Sequence, residues 1–286
     1  MKFRLTAVII LSLCLSNVFA DEGMWLLGNL KKNKQTDRVM KGLGLQMPVN
    51  KIYNPKKACL ADAVVSFGGF CSGVVVSEDG LVFTNHHCGF SSIQQHSSVE
   101  HDYLKDGFVA RSLEEELPNP ELYVRFLLRT EDVTKRVLSA AKPAKTESER
   151  QMLVDSVMNV IGMEVSDKDS TLTGVVDAYY AGNEFWLSVY RDYNDVRLVF
   201  APPSSVGKFG WDTDNWMWPR HTGDFSVFRV YANANNEPAS YSSDNKPYSP
   251  KYVAEVSLQG YEEKDYAMTV GFPGSTSRYL CSWGVK

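Results

Sequence analysis

Cys71-Ser72-Gly73-Val74-Val75-Val76-Ser77-Glu78-Asp79-Gly80-Leu81-Val82-Phe83-Thr84-Asn85-His86-His87-Cys88 is the stretch on which the fold turns. Residues 71–76 are a largely apolar, β-branched run. Ser77-Glu78-Asp79-Gly80 is a turn whose Asp-Gly pair supplies a positive-φ position, and residues 81–84 are a second short run. The pattern predicts two strands joined by that turn. The second strand delivers Asn85-His86-His87-Cys88 at its end, in a loop. A histidine leaving a strand beside a cysteine suits a general base, because a covalent tie at the cysteine would fix the loop and aim the imidazole. A surface loop with two ordinary histidines is the alternative that these residues alone leave open.

Outward from this hairpin the β pattern continues. Residues 63–67 read as a strand ended by Gly68-Gly69, and residues 122–128 as another. The period then changes. Residues 131–141 read as helix, and Thr146 with Glu149 predicts a capping box ahead of Leu153, Val157, Val160 and Ile161 at helical spacing. Together these predict a helical insertion at about 130–165. From Thr171 the strands return, at 175–179, 185–190, 196–200, 225–231, 252–258 and 266–270. Gly, Pro, Asn and Asp separate them, as in a barrel or sandwich. Upstream, residues 21–58 read as a lead-in with helical spacing from Met24 to Leu30 and breaks at Pro48, Asn54 and Pro55.

The 286 residues, 44% hydrophobic and 22% charged, exclude a disordered chain and suffice for one large domain or two medium ones. A formal net charge of −4 offers no nucleic-acid footprint. Lys2 and Arg4, the apolar run of residues 5–15 and Val18-Phe19-Ala20 read as a secretory signal peptide over residues 1–20, leaving 21–286 as the mature part. The apolar run is too short to span a bilayer, and Leu13 before Cys14 is wrong for a lipoprotein site, so no membrane anchor is expected. Export makes pairing expected for some of Cys59, Cys71, Cys88 and Cys281.

A second constellation is Asp212-Thr213-Asp214-Asn215-Trp216-Met217-Trp218-Pro219-Arg220-His221-Thr222-Gly223-Asp224, unusually rich in Trp, Asp, Arg and His for a mere loop. Asp224 opens the alternating run Phe225-Ser226-Val227-Phe228, where a carboxylate can accept the Nδ1–H of a catalytic histidine; capping a turn after Gly223 is the plainer role. Ser275 follows Gly271-Phe272-Pro273-Gly274 but lacks the second glycine of a nucleophile elbow. His86, His87, His221 and an Asp are potential zinc ligands, yet adjacent histidines diverge and no H-E-x-x-H or C-x-x-C spacing occurs. No metal and no cofactor are expected.

Thr84-Asn85-His86-His87-Cys88 resembles the T-A-A-H-C signature of chymotrypsin-like serine peptidases. That resemblance makes His87 the base, Cys71–Cys88 a bridge and His86 non-catalytic. Asp21 to Trp25, Thr84 to Gly89, Ala201 to Gly210, Asp212 to Phe228, and Asp265 to Met268 with Gly271 to Gly274 are similar to blocks of the bacterial dipeptidyl-peptidase 7 and 11 family. Met217, Val227 and the stretch 275–285 look closer to the dipeptidyl-peptidase 7 branch.

The resemblance implies a mostly β fold: a chymotrypsin-like β-barrel, the first barrel with part of the second, ending before a large helical domain. It implies release of dipeptides from the free N-terminus of peptide substrates in the periplasm. By position, His87 is the base and Asp224 its orienting carboxylate. Asn215 and Trp216 fall where the family binds the substrate's N-terminal end, with Arg220 supporting them. The family's serine lies in a late G-G-N-S-G-S-type segment that these 286 residues do not contain. The expectation is therefore a fragment, inactive alone, whose nucleophile lies elsewhere. A secreted, non-catalytic module that binds peptide N-termini is the rival reading. A homodimer is left open.

Overall fold

The computed structural model describes residues 24–30, 32–214, 217–274 and 280–285. The signal-peptide reading of residues 1–20 lies outside the described residues, as do Asn215, Trp216 and Ser275.

Among the described residues, eleven strands form one antiparallel sheet. They are β1 (Val64–Phe67), β2 (Cys71–Val75), β3 (Leu81–Thr84), β4 (Phe108–Val109), β5 (Leu117–Pro118), β6 (Val124–Asp132), β7 (Leu172–Tyr179), β8 (Glu184–Tyr193), β9 (Asp195–Ala201), β10 (Ser226–Ala232) and β11 (Lys246–Pro247). The hydrogen-bonded order is β4-β9-β10-β3-β2-β1-β6-β8-β7, with β5 on β9 and β11 on β10. Four helices longer than one turn accompany them: α1 (Lys34–Gly42), α2 (His86–His96), α3 (Thr134–Ala140) and α4 (Glu147–Lys168).

The sheet is rolled, and the chain path requires it. β8 and β9 are six steps apart in the ladder, which in a flat sheet means about 29 Å. Asn194 alone joins them, and a single intervening residue reaches only about 7 Å. Phe67 of β1 and Phe228 of β10 stand three steps apart, yet their ring centroids lie at 4.8 Å. The hydrogen-bonded path nonetheless stays open among the described residues, because no ladder joins β8 to β9. The inner face holds one core: Val65, Phe67, Val75, Val82, Val124, Phe126, Leu198, Phe228 and Val230, with Cys88 and Ile93 from α2.

β6 and β8 continue past this roll as a pair, and β7 lies along the other edge of β8. The odd-numbered β8 residues Phe185, Leu187 and Val189 pack against α3 and α4. Helix α4 begins at Thr146, whose Oγ1 accepts the Glu149 N–H at 3.2 Å. The expected capping box is only half formed, since the Glu149 carboxylate accepts from Lys145 N–H. The lead-in forms its own small cluster of Leu30, Met40, Leu45 and Ile52.

Two further expectations change. Residues 252–258 and 266–270 alternate like strands but belong to no ladder. Tyr252 and Ala254 pack on the main core, and Tyr266 and Met268 on the lead-in cluster, so the alternation reflects one-sided docking of irregular chain. The expected loop at Asn85–Cys88 is instead the first turn of a helix. Asn85 is its extended N-cap, and its carbonyl receives the N–H groups of Cys88 and Gly89.

Candidate active site

The site is built where the end of β3 becomes the start of α2. Thr84 is buried and its Oγ1 donates to the Ser72 carbonyl at 2.8 Å, tying β3 to β2. The Cys71–Cys88 disulfide, with a Cα–Cα distance of 6.1 Å, fastens the first turn of α2 to the start of β2. Gly89 lets α2 lie against β10, because a Cβ there would sit 2.7 Å from Ser226 Oγ and about 3 Å from the Phe228 ring. Ser226 Oγ in turn donates to the Asn85 carbonyl at 2.9 Å.

This approach brings Asp224, two residues before β10, to His87. The distance from His87 Nδ1 to Asp224 Oδ2 is 2.7 Å. The backbone N–H of His87 donates to the other carboxylate oxygen, Oδ1, at 3.1 Å. Asn85 Nδ2 donates both to the Asp224 carbonyl, at 3.1 Å, and to Oδ2, at 3.2 Å. The carboxylate is thus held by three donors from one short stretch. The His87 side chain is 66% exposed and Asp224 29%. With Nδ1–H given to the carboxylate, Nε2 is the nitrogen left to accept a proton.

His86 and His87 part company. On the first turn of a helix, neighbours point about 100° apart. His86 turns inward and is 1% exposed, and burial pushes its pKa down. The two imidazoles therefore do not converge on one point. Among the described residues, the grouping of ligand-type atoms at this place is Cys71, His87 and Cys88, and both sulfurs are spent in the disulfide.

Residues 209–214 and 217–222 lead up to Asp224 along the chain. Thr222 Oγ1 donates to the Phe209 carbonyl at 2.8 Å, and the His221 ring meets Phe209 edge-on. Trp211, Met217 and Trp218 are exposed there, as is Arg220. Asn215 and Trp216 belong to the same stretch but lie outside the described residues. Across the rim, Phe272 N–H donates to Ser72 Oγ at 2.7 Å, so the Gly271–Gly274 block is strapped beside the disulfide. Sequence reasoning did not single out Asn85 as a support for Asp224. The local sequence carried no signal for it, because residues 85–88 read as a loop and Asp224 lies 139 positions away.

The Peptidase S46 model matches residues 20–286. The chain belongs to the peptidase S46 family. Within S46 it is 56% identical over 271 residues to a dipeptidyl-peptidase 7 of Porphyromonas endodontalis, covering 95% of this chain and 33% of that protein. It is 48% identical over 286 residues to an Asp/Glu-specific dipeptidyl-peptidase of Porphyromonas gingivalis, covering 98% and 39%. The solved Porphyromonas endodontalis DPP11 in complex with substrate superposes with a TM-score of 0.77 at 47% identity, over 85% of this chain and 36% of that one. The S46 chain described here therefore spans about a third to two-fifths of the length of these relatives. No helix among the described residues is long and apolar enough to cross a membrane.

Proposed function

We propose that residues 21–286 carry the base and orienting acid of a serine-type dipeptidyl-peptidase that releases dipeptides from the free N-terminus of peptides. One observation carries this: the 2.7 Å contact of His87 Nδ1 with Asp224 Oδ2, in which the other carboxylate oxygen is held by the backbone of the same histidine. The acid cannot swing away from the ring without also losing the backbone donor. That is the geometry of a pre-aimed base, and a binding module has no need of it.

The nucleophile is a serine hydroxyl supplied from outside residues 1–286. It attacks the carbonyl carbon of the substrate's second residue, and its proton passes to His87 Nε2. Asp224 stays ionised and stabilises the imidazolium. As the tetrahedral intermediate collapses, the C–N bond breaks and His87 returns the proton to the leaving amine. Water then repeats the sequence on the acyl-enzyme. Backbone donors around the oxyanion contribute about 3–4 kcal/mol each.

The rolled sheet, the tethered helix on its rim and the His-then-Asp order support a chymotrypsin-like barrel as its architecture. Asn215 and Trp216 receive the substrate's ammonium group on an amide oxygen and a ring face, with Arg220 supporting them. The signal peptide at residues 1–20 directs the enzyme to the periplasm.

The test is turnover of a dipeptidyl-coumarin substrate by the complete enzyme. His87→Ala abolishes turnover, and His86→Ala stays above that level because the base remains. N-acetylating the substrate stops cleavage. Activity in His87→Ala, or equal cleavage of acetylated and free substrates, overturns the reading.

A further inference from the structure

His86 is a buried imidazole that the mechanism above does not use. It sits on the inner side of α2's first turn, directly before the base. One face lies against Gly207 so closely that a Cβ there would fall 2.4 Å from both Cγ and Cδ2 of the ring. The Pro202 carbonyl is placed to accept from the ring, while Nε2 is buried with no hydrogen-bond partner among the described residues. The Phe90 ring closes another side, edge-on at 6.4 Å.

What His86 presses on leads back to the acid. Gly207 ends the helical turn Ser204–Gly207, and the Val206 carbonyl in that turn accepts the Gly223 N–H at 3.0 Å. A Cβ on Gly223 would meet Val206 Cγ1 at 2.9 Å, so the Val206 side chain packs directly against the Gly223 backbone. Gly223 is the residue before Asp224. The acid thus hangs between two supports. From one side it is gripped by Asn85 and the His87 N–H; from the other it is suspended from the Val206 turn. The His86 ring is the spacer between those two supports.

We propose that His86 is a positioning residue: wedged between the first turn of α2 and the Val206–Gly207 turn, it sets the distance at which Asp224 meets His87. The inference rests on the base-and-acid reading above. An uncharged ring suits the task. A second cation beside His87 would compete for Asp224, and desolvation holds His86 in its neutral form against the attraction of that carboxylate. A shift of an ångström between acid and base disturbs proton transfer while leaving substrate contacts intact.

Three variants of the complete enzyme test this: His86→Phe, Gly207→Ala and His87→Ala. His86→Phe keeps a ring but removes its polar contacts. Gly207→Ala drives a methyl into the same ring from the opposite side. kcat and KM are measured per site titrated with a fluorophosphonate, and the His87 Nδ1 proton is followed by NMR in its downfield region. The first two variants lower kcat about 10- to 100-fold per titrated site, with KM within about twofold, and both move the Nδ1 proton resonance. Wild-type kcat per site and an unmoved resonance, in whichever of the two folds, overturn the proposal. A loss of activity that only follows the number of titratable sites overturns it too, since folding then accounts for everything. Full activity in His87→Ala fails differently: it removes the base assignment itself.

Discussion

Replacing Asp224 with Asn keeps its shape but puts a donor where the carboxylate accepts. His87 then settles in the wrong tautomer, and kcat of the complete enzyme falls about 10⁴-fold, as steady-state kinetics at neutral pH would show. Asn85 is a milder case. Asn85→Ala removes two partly solvated hydrogen bonds to Asp224, so kcat drops about tenfold with the fold intact. His86 makes a prediction about pH. Its pKa is lowered in the folded state, so the unfolded chain binds the extra proton as pH drops below its ordinary value of 6.5. His86 therefore stabilises the fold above that pH and loses this contribution as pH falls through and below 6.5. Thermal melts at pH 7.5 and 5.5 check the sign: the gap between them narrows in His86→Phe. In the bare sequence the two histidines are indistinguishable as neighbours, and only the resemblance to known peptidases separated them. Burial and direction separate them in space.

The hairpin of β2 and β3, with its Asp-Gly turn, was legible, because short apolar, β-branched runs and a positive-φ glycine act locally. Helix α2 was not. Its first turn follows straight on from a strand, and its buried residues His86, Cys88, Gly89, Ser92 and Ile93 include few that read as apolar. Residues 252–258 show the opposite error, a strand-like alternation without a partner strand. The disulfide is the element that connects hairpin and helix. Replacing both Cys71 and Cys88 with Ala reopens a loop of 17-residue separation and costs about 3 kcal/mol, read as a lower midpoint in urea unfolding. The same change loosens the turn that carries His87, so kcat falls along with stability.

Beyond single elements, strand β10 is buried along its whole length, including two polar residues on its outer side. Arg229 Nε donates to Glu116 at 2.9 Å, its Nη1 donates to the Asp79 carbonyl at 2.7 Å, and Tyr231 donates to Glu116 at 2.8 Å. Glu116 and Arg229 are 113 residues apart, and nothing in their local context announced the pair. Glu116→Ala leaves the buried Arg229 guanidinium with Asp79 as its remaining carboxylate, at 2.8 Å, and strips Nε and the Tyr231 hydroxyl of their acceptor. The expected loss is about 1–3 kcal/mol, measured by chemical unfolding, with Glu116→Gln losing less because it still accepts a hydrogen bond. Because β10 also carries the approach to Asp224, this variant tests whether the outer clamp supports the site from behind.

Local chemistry was enough to mark most strands, the turn ahead of His87, the helical stretch near 130–165 and the blocks that mark the family. Each of those depends on periodicity, turn residues or order along the chain, which neighbours in sequence set between themselves. That Asp224 lies 2.7 Å from a histidine 137 positions earlier, that one histidine of a pair faces out and the other in, and that β8 and β9 come together across a rolled sheet are facts of another kind. Alternation tells a strand which face to bury, not which strand to lie beside. That choice is made only when the core closes and the distant partners compete for it.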